Sequence, residues 1–145
     1  MKISKDNRAY SLTFWTVFFG FILIPILALS IELGRYFYAR AEVAKAADAA
    51  ALAVAAEINQ RVFEASGDLQ PTSNTWVNAQ AYASMNNGYL VQYRVYAVVT
   101  EISINGGDNT VLVKVSAKLE RLFPSVVPGV IVTEEVYAKI RAITH

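Results

Sequence analysis

The chain contains no cysteine and only one histidine, His145, which is its last residue. The lack of cysteine excludes disulfides, thiolate nucleophiles and zinc sites built on cysteine. A single terminal histidine leaves no nucleophile–base pair and no cluster of metal ligands. We therefore expect no catalytic residue, no cofactor-binding residue and no metal site, and predict that the protein is not an enzyme.

The chain also lacks a large excess of charge, since its net charge is +1. A broad basic field of the kind that attracts nucleic acid is therefore not expected. The adjacent glycines Gly106 and Gly107 lack the Lys-Ser/Thr pair and the following helix of a phosphate loop. Asp108 and Asn109 beside them offer oxygen ligands for calcium, but a hairpin turn is the simpler interpretation.

Charge is missing altogether from residues 9–31, a run of 23 residues between Arg8 and Glu32. As a helix, at about 1.5 Å per residue, this run spans roughly 35 Å, enough to cross a hydrocarbon core of about 30 Å. A cleaved signal peptide, with small residues at 28 and 30, and a buried core helix are the alternatives. The run is long for either of them, so we predict a membrane-spanning helix.

Residues on the N-terminal side of the run indicate its orientation. Lys2, Lys5 and Arg8 outweigh the single Asp6, and positive residues beside a first span favour the cytoplasmic side. We therefore predict a cytoplasmic leader at 1–9, with the chain beyond the span outside the membrane.

An alanine-rich segment follows the uncharged run. Ten of the sixteen residues from Ala41 to Ala56 are alanine, the best helix former. We expect one helix from Ser11 to about Glu64, bent or locally unwound at Pro25. The predicted division is a transmembrane and alanine-rich helix at 10–64 and an exported α+β domain at 65–145, packed against the outer half of the helix.

The exported part begins with turn formers at 65–74, and Ser73 or Asn74 can cap a second helix over 75–87 that Gly88 closes. Strands are then predicted at 89–104, 110–123 and 130–143, with a hairpin loop at 105–109. In the middle strand one face carries only apolar residues: Val111, Val113, Val115, Ala117 and Leu119. The predicted fold is α+β, with a long helix, a short helix and about three antiparallel strands packed on the long helix.

The sequence after the span resembles a known family. The string ELGRYFYARAEVAKAADAAALAVA is similar to the N-terminal signature of TadE/TadG-like proteins of the tight-adherence (Tad, or Flp) pilus system. In that signature a hydrophobic span leads to an acidic residue, then Leu-Gly-Arg, an aromatic pair and Asp-Ala-Ala-Ala-Leu-Ala. The residues that match are Glu32, Leu33, Gly34, Arg35, Asp48, Ala49, Ala50, Ala51 and Leu52. The strong match covers about residues 11–57, and the pattern of the last two strands is loosely similar as well.

The resemblance implies a pilin-like structural subunit, held in the cytoplasmic membrane and assembled through its N-terminal helix into a surface filament. Its expected partners are further copies of itself or other pilins, the membrane before assembly, and the Tad-type assembly machinery. A non-polymerising membrane-anchored accessory protein for pilus assembly or adhesion is the alternative. One departure concerns cleavage of the leader. Cleaved pilins have Glu as the fifth residue after the cleavage site, but here the fifth residue after Ala9 is Phe14, and no acid occurs from there until Glu32. This favours the uncleaved members.

Several helix residues are candidates for a helix–helix assembly interface. Ser30 with Gly34, and Ala46 with Ala50, have the small-xxx-small spacing that permits close helix approach. Glu32 and Arg35, one turn apart, are either interfacial anchors or a contact that sets the register between subunits. Asp48 is either solvated or the partner of a cation on another chain. The full candidate set is Phe14, Phe18, Gly20, Pro25, Ser30, Glu32, Gly34, Arg35, Ala46, Asp48 and Ala50.

Three further features stay open at the sequence level. The aromatic residues at 36–38 are typical of a belt at the membrane surface. Tyr89, Tyr93 and Tyr96 favour packing on the sheet, with surface adhesion as the alternative. Glu134 interrupts the apolar face of the last strand, so it lies at a sheet edge or meets a lysine.

Overall fold

The computed structural model describes residues 7–87, 95–120, 122–123 and 130–139. Three helices come first: α1 (Asn7–Ala56), α2 (Gln60–Ser66) and α3 (Thr75–Met85). Three strands follow: β1 (Ala97–Asn105), β2 (Thr110–Leu119) and β3 (Val130–Lys139). They form an antiparallel sheet in the order β1-β2-β3. The predicted α+β fold, a long helix with a small antiparallel sheet packed on it, is confirmed.

Some sequence predictions fall on residues outside this description. They are the first six residues of the leader, Tyr89 and Tyr93 with the start of the first predicted strand, Gly88, the loop at 124–129 and the last six residues including His145. The division into leader, transmembrane helix and exported domain stays a prediction.

By its internal contacts the chain divides into two compact units. Among the described residues, the first unit comprises 7–35 with 122–123, and the second comprises 36–120 with 130–139. The helix α1 contributes to both units, because the boundary falls between Arg35 and Tyr36.

The core of the second unit is built from small side chains on α1 and valines on the sheet. Residues at helical spacing on α1 are buried: Ala39, Val43, Ala46, Ala47, Ala50, Ala51 and Val54. They share the core with the inward face of β2: Val111, Val113, Val115, Ala117 and Leu119. Small helix residues let the helix backbone approach a sheet closely, and the valines fill the remaining space. The predicted apolar face of β2 is therefore confirmed.

The outer face of the sheet carries a row of charges. Lys114 on β2 lies opposite Glu101 on β1 and Glu135 on β3, and its Nζ is 3.0 Å and 3.2 Å from their carboxylate oxygens. Hydrogen bonds to Glu101 and then Glu135 raise the pKa of Lys114 above its ordinary value. Such cross-strand pairs of opposite charge help to specify the register of the three strands.

Side chains from the helical region occupy the outer edge of β1. The Gln80 amide donates to the Ala97 carbonyl at 3.2 Å and accepts from the Val99 N–H at 2.8 Å. Asn87, which is buried, accepts from the Ala97 N–H at 3.0 Å. These bonds satisfy strand groups that would otherwise be open to pairing with another chain.

The helix α1 ends at Ala56, earlier than the predicted end at Glu64. The chain leaves the helix there because the backbone at 57–59 pairs with 70–72. Asn59 N–H donates to Gln70 O at 2.9 Å, and Thr72 N–H donates to Glu57 O at 3.2 Å. The Glu57 carboxylate also accepts hydrogen bonds from the side chains of Thr72 and Asn78. Residues predicted to continue the long helix instead form α2.

Two further helix predictions concern Pro25 and Asn74. The helix is continuous through Pro25, so local unwinding is not observed there, and the alternative of a bend stays a prediction. Asn74 occupies the N-cap position of α3, but its side chain makes no capping hydrogen bond. Instead, the Thr75 hydroxyl donates to the Thr72 carbonyl at 2.9 Å.

A paired substitution tests the close packing of α1 in the core. Ala47→Leu adds volume at a fully buried position, whereas Ala44→Leu makes the same change at a half-buried position of the same helix. We expect Ala47→Leu to lower the free energy of unfolding by about 1–3 kcal/mol. Ala44→Leu should change it by less than about 0.5 kcal/mol. Chemical denaturation of the full chain in detergent micelles, followed by circular dichroism, measures both, and equal losses would contradict the assigned core.

Candidate assembly and membrane helix

The uncharged part of α1 presents its side chains outward on all sides. Between Tyr10 and Ile31 every described residue is exposed except Gly20, which is half-buried, and Ala28, which is buried. A core helix of a soluble protein would instead be covered. By length and composition this is the one helix in the described part of the chain that could cross a membrane.

Aromatic rings form a continuous surface near the start of the run. The rings of Phe14 and Phe18 are stacked with centroids 6.0 Å apart, and those of Trp15 and Phe19 are stacked at 5.5 Å. Phe18 also meets Trp15 edge to face at 5.8 Å. The predicted interface residues Phe14 and Phe18 thus lie on an exposed aromatic surface, which lipid or another helix could cover.

Glu32, the first charged residue after the run, has its carboxylate engaged within the first unit. The residue is only 6% exposed. Its Oε1 accepts the backbone N–H groups of Leu122 at 2.6 Å and Phe123 at 3.0 Å. Its Oε2 is 3.1 Å from the Arg35 guanidinium. The structure therefore shows a clamp within one chain, which neither sequence-level interpretation of Glu32 included.

Ala28 shows which face of the helix is covered. It lies one turn before Glu32 on the same face and is 5% exposed. We call the side of the helix marked by Ala28 and Glu32 the covered face.

The small residues Ser30 and Gly34 lie on the other side. Two residues along an α-helix correspond to a rotation of about 200°, so both point away from Glu32. Both are exposed, and a Cβ added at Gly34 would meet no other atom within 4 Å. The Ser30 hydroxyl donates to the Ile26 carbonyl at 2.8 Å, so it needs no external partner. We call the side marked by Ser30 and Gly34 the small-residue face.

Of the other candidates, Gly20 is half-buried with open space beside it, and Pro25 is exposed. Ala46 and Ala50 are fully buried in the chain's own core, where the sheet already uses their small size. Asp48 is exposed on α1 and has no ion pair within the described part of the chain. An intersubunit role of these residues stays a prediction.

Of the two sequence alternatives for Glu134, its place at a sheet edge is confirmed because β3 is an edge strand, but its partner is an arginine and not a lysine. Its Oε1 accepts from Arg40 Nε at 2.5 Å, so the acid on the inward face of the outer strand β3 meets an arginine of α1. Glu134 lies opposite Val115 of β2 in the sheet, and this strand pairing does not indicate an arginine partner on α1.

The aromatic predictions turn out differently from one another. Tyr36 packs against the core, while Phe37 and Tyr38 are exposed beside it. Tyr96, expected to pack on the sheet, is 58% exposed because Val95 and Ala97 take the inward positions around it.

The Glu32 clamp can be tested by amide exchange. Hydrogen bonds to charged groups contribute about 1.5–3 kcal/mol each, and each 1.4 kcal/mol is about tenfold in an equilibrium constant. Glu32→Ala should therefore speed exchange at the Leu122 and Phe123 amides about tenfold or more. Arg35→Gln leaves both hydrogen bonds in place and should change exchange much less. Nuclear magnetic resonance of the full chain in micelles measures this, and unchanged exchange in Glu32→Ala would refute the clamp.

Residues 11–57 match the family model described as Putative Flp pilus-assembly TadE/G-like. No curated protein and no solved structure matches the chain. The matched segment contains most of the uncharged run, the Glu32–Arg35 pair and the alanine-rich half of α1. Residues 11–57 of this chain are therefore similar to the TadE/G-like element of Flp pilus-assembly proteins.

Proposed function

We propose that this chain is a pilin-like structural subunit of a Tad-type pilus, without enzymatic activity. It is held in the cytoplasmic membrane by residues 10–31, with its N-terminus inside, and assembles through that helix into a surface filament. The observation that carries the proposal is the exposed surface of the uncharged run, joined to a family element of pilus assembly.

The driving force for assembly is physical. Burying a Leu, Ile or Phe side chain is worth about 1.5–3 kcal/mol relative to leaving it in water. The run exposes a long series of such side chains, so it requires lipid or neighbouring helices around it. Once subunits leave the bilayer, contact with the helices of other subunits replaces contact with lipid.

The small-residue face is the best candidate for close helix contact. Packing between helices in lipid relies on small residues that let backbones approach. Ser30 and Gly34 are both exposed, and Gly34 has open space beside it. The covered face offers no such contact, because the Glu32 carboxylate already bonds Leu122 and Phe123. Further copies of this chain or other pilins would meet the small-residue face during assembly by the Tad machinery.

A non-polymerising accessory protein of the same system is the second candidate. Three of the predicted interface residues, Glu32, Ala46 and Ala50, are engaged within the chain itself. This reduces the helix surface available to a neighbour and favours a protein that stays in the membrane. The two candidates differ in where the chain is found after assembly.

The location of the native chain separates the candidates, and substitution at Gly34 tests the small-residue face. Gly34→Leu should leave the monomer folded, because an added Cβ meets open space, but it should block close approach of a neighbouring helix. Gly34→Ala keeps a small side chain and should preserve assembly. The readout is the amount of this chain in sheared surface filaments, measured by mass spectrometry and electron microscopy.

For a pilin-like subunit, the native chain and Gly34→Ala should be abundant in filaments, and Gly34→Leu should be strongly reduced. If the native chain occurs only in the membrane fraction, the subunit proposal fails and the accessory role is supported. If filaments form equally with Gly34→Leu, the small-residue face is not the contact.

A further inference from the structure

Two large apolar residues of the first unit follow β2 in the sequence, and their side chains are exposed. Leu122 is 56% exposed and Phe123 is 36% exposed. Their backbone N–H groups bond the Glu32 carboxylate, which places them beside the last turn of the uncharged run. Single exposed apolar residues are common on protein surfaces, but these two lie beside a helix that is expected to span a membrane.

The level of these residues along the helix follows from side-chain direction. Helical side chains point back toward the N-terminus and lie over the preceding turn. The Glu32 carboxylate therefore lies beside the turn that contains Ala28, and Ala28 is the buried residue of that turn. The backbone N–H groups of Leu122 and Phe123 are thus held level with uncharged residues of the helix, not beyond them.

We infer that Leu122 and Phe123 form a second lipid contact of this protein, an inference that rests on the membrane anchoring proposed above. The two side chains contact the boundary between headgroups and acyl chains in the leaflet where the run ends. Apolar side chains of interfacial segments enter this layer by about 5–10 Å. Entry requires that backbone donors are satisfied, and both N–H groups already bond Glu32.

A second contact has a consequence for assembly. A single span is free to rotate about its axis, and interfacial anchors fix its tilt and rotation. With Leu122 and Phe123 held in the interface on the covered face, the small-residue face points to the opposite side. Neighbouring helices would then meet a defined face of the span before extraction.

Fluorescent labelling tests this contact directly. Because the chain has no cysteine, single cysteines can carry an environment-sensitive NBD fluorophore. The full-length chain is labelled at Leu122→Cys and reconstituted in phosphatidylcholine–phosphatidylglycerol vesicles that contain doxyl-labelled lipid. Ile22→Cys, within the run, reports insertion of the span. Val77→Cys, an exposed apolar position on α3 at 66% exposure, is the matched control in the second unit, which is not part of the proposed contact.

The Leu122 label should show blue-shifted emission and stronger quenching by doxyl groups near the headgroups than by those deep in the acyl chains. The Ile22 label should be quenched most by deep doxyl groups, and the Val77 label by neither. If the Leu122 label behaves like the Val77 label while Ile22 is quenched, the second contact is refuted and the anchoring stands. If Ile22 is not quenched, the anchoring itself is refuted, and the second contact with it.

Glu32→Ala in the Leu122-labelled chain tests how the contact is positioned. Loss of the acceptor should reduce quenching of the Leu122 label and leave the Ile22 label unchanged. Unchanged quenching at Leu122 would show that Glu32 does not hold the segment at the interface, contrary to the inference. Leu122 is exposed, so its replacement does not disturb the core that folds the second unit.

Discussion

The charge on Glu32 is the constraint on which the organisation of the first unit depends. A carboxylate buried to this degree is stable only when its oxygens are hydrogen-bonded. The backbone N–H groups of Leu122 and Phe123 and the Arg35 guanidinium supply those bonds. The segment after β2 is therefore held on one side of the helix. The opposite side, marked by Ser30 and Gly34, stays open for a neighbour.

The two halves of helix α1 carry different side chains and suit different surroundings. Up to Ile31 most of its residues are large and exposed, which suits lipid or other helices. Beyond Tyr36 they are mostly alanine on the inward face, which suits close contact with the valines of β2. Packing against the sheet of the same chain is therefore sufficient to explain the alanine-rich sequence. Small-xxx-small spacing within such a segment is weak evidence for assembly.

Local patterns in the sequence predicted the features that local physics controls. Apolar residues at every second position from Val111 to Leu119 predicted the buried face of β2, and the Asn-Gly-Gly-Asp-Asn turn predicted the hairpin. The end of α1 was missed because contacts with residues 70–72, distant in sequence, draw the chain out of the helix at Glu57. Asn59, a favoured N-cap residue that accepts from the Val62 N–H, was the local sign of a new helix.

Of the contacts around the helix exit, the Glu32–Arg35 pair follows from helical spacing, but the long-range contacts do not. The uncharged run and its charged exit follow from composition, whereas the partners of Glu32 and Glu134 lie about 90 positions away in sequence. No spacing rule on the helix reveals such partners. Burial of Ala46 and Ala50 likewise depends on which face the sheet covers, which composition alone does not give.

Cysteine cross-linking in intact filaments tests the division of the helix into two faces most directly. Single cysteines at Gly34 and at Ala28 lie on the small-residue face and the covered face of the same helix segment. The account predicts cross-linked dimers of this chain, or conjugates with another pilin, from Gly34→Cys and little or none from Ala28→Cys. Equal cross-linking at both positions, or cross-linking at Ala28 alone, would contradict it.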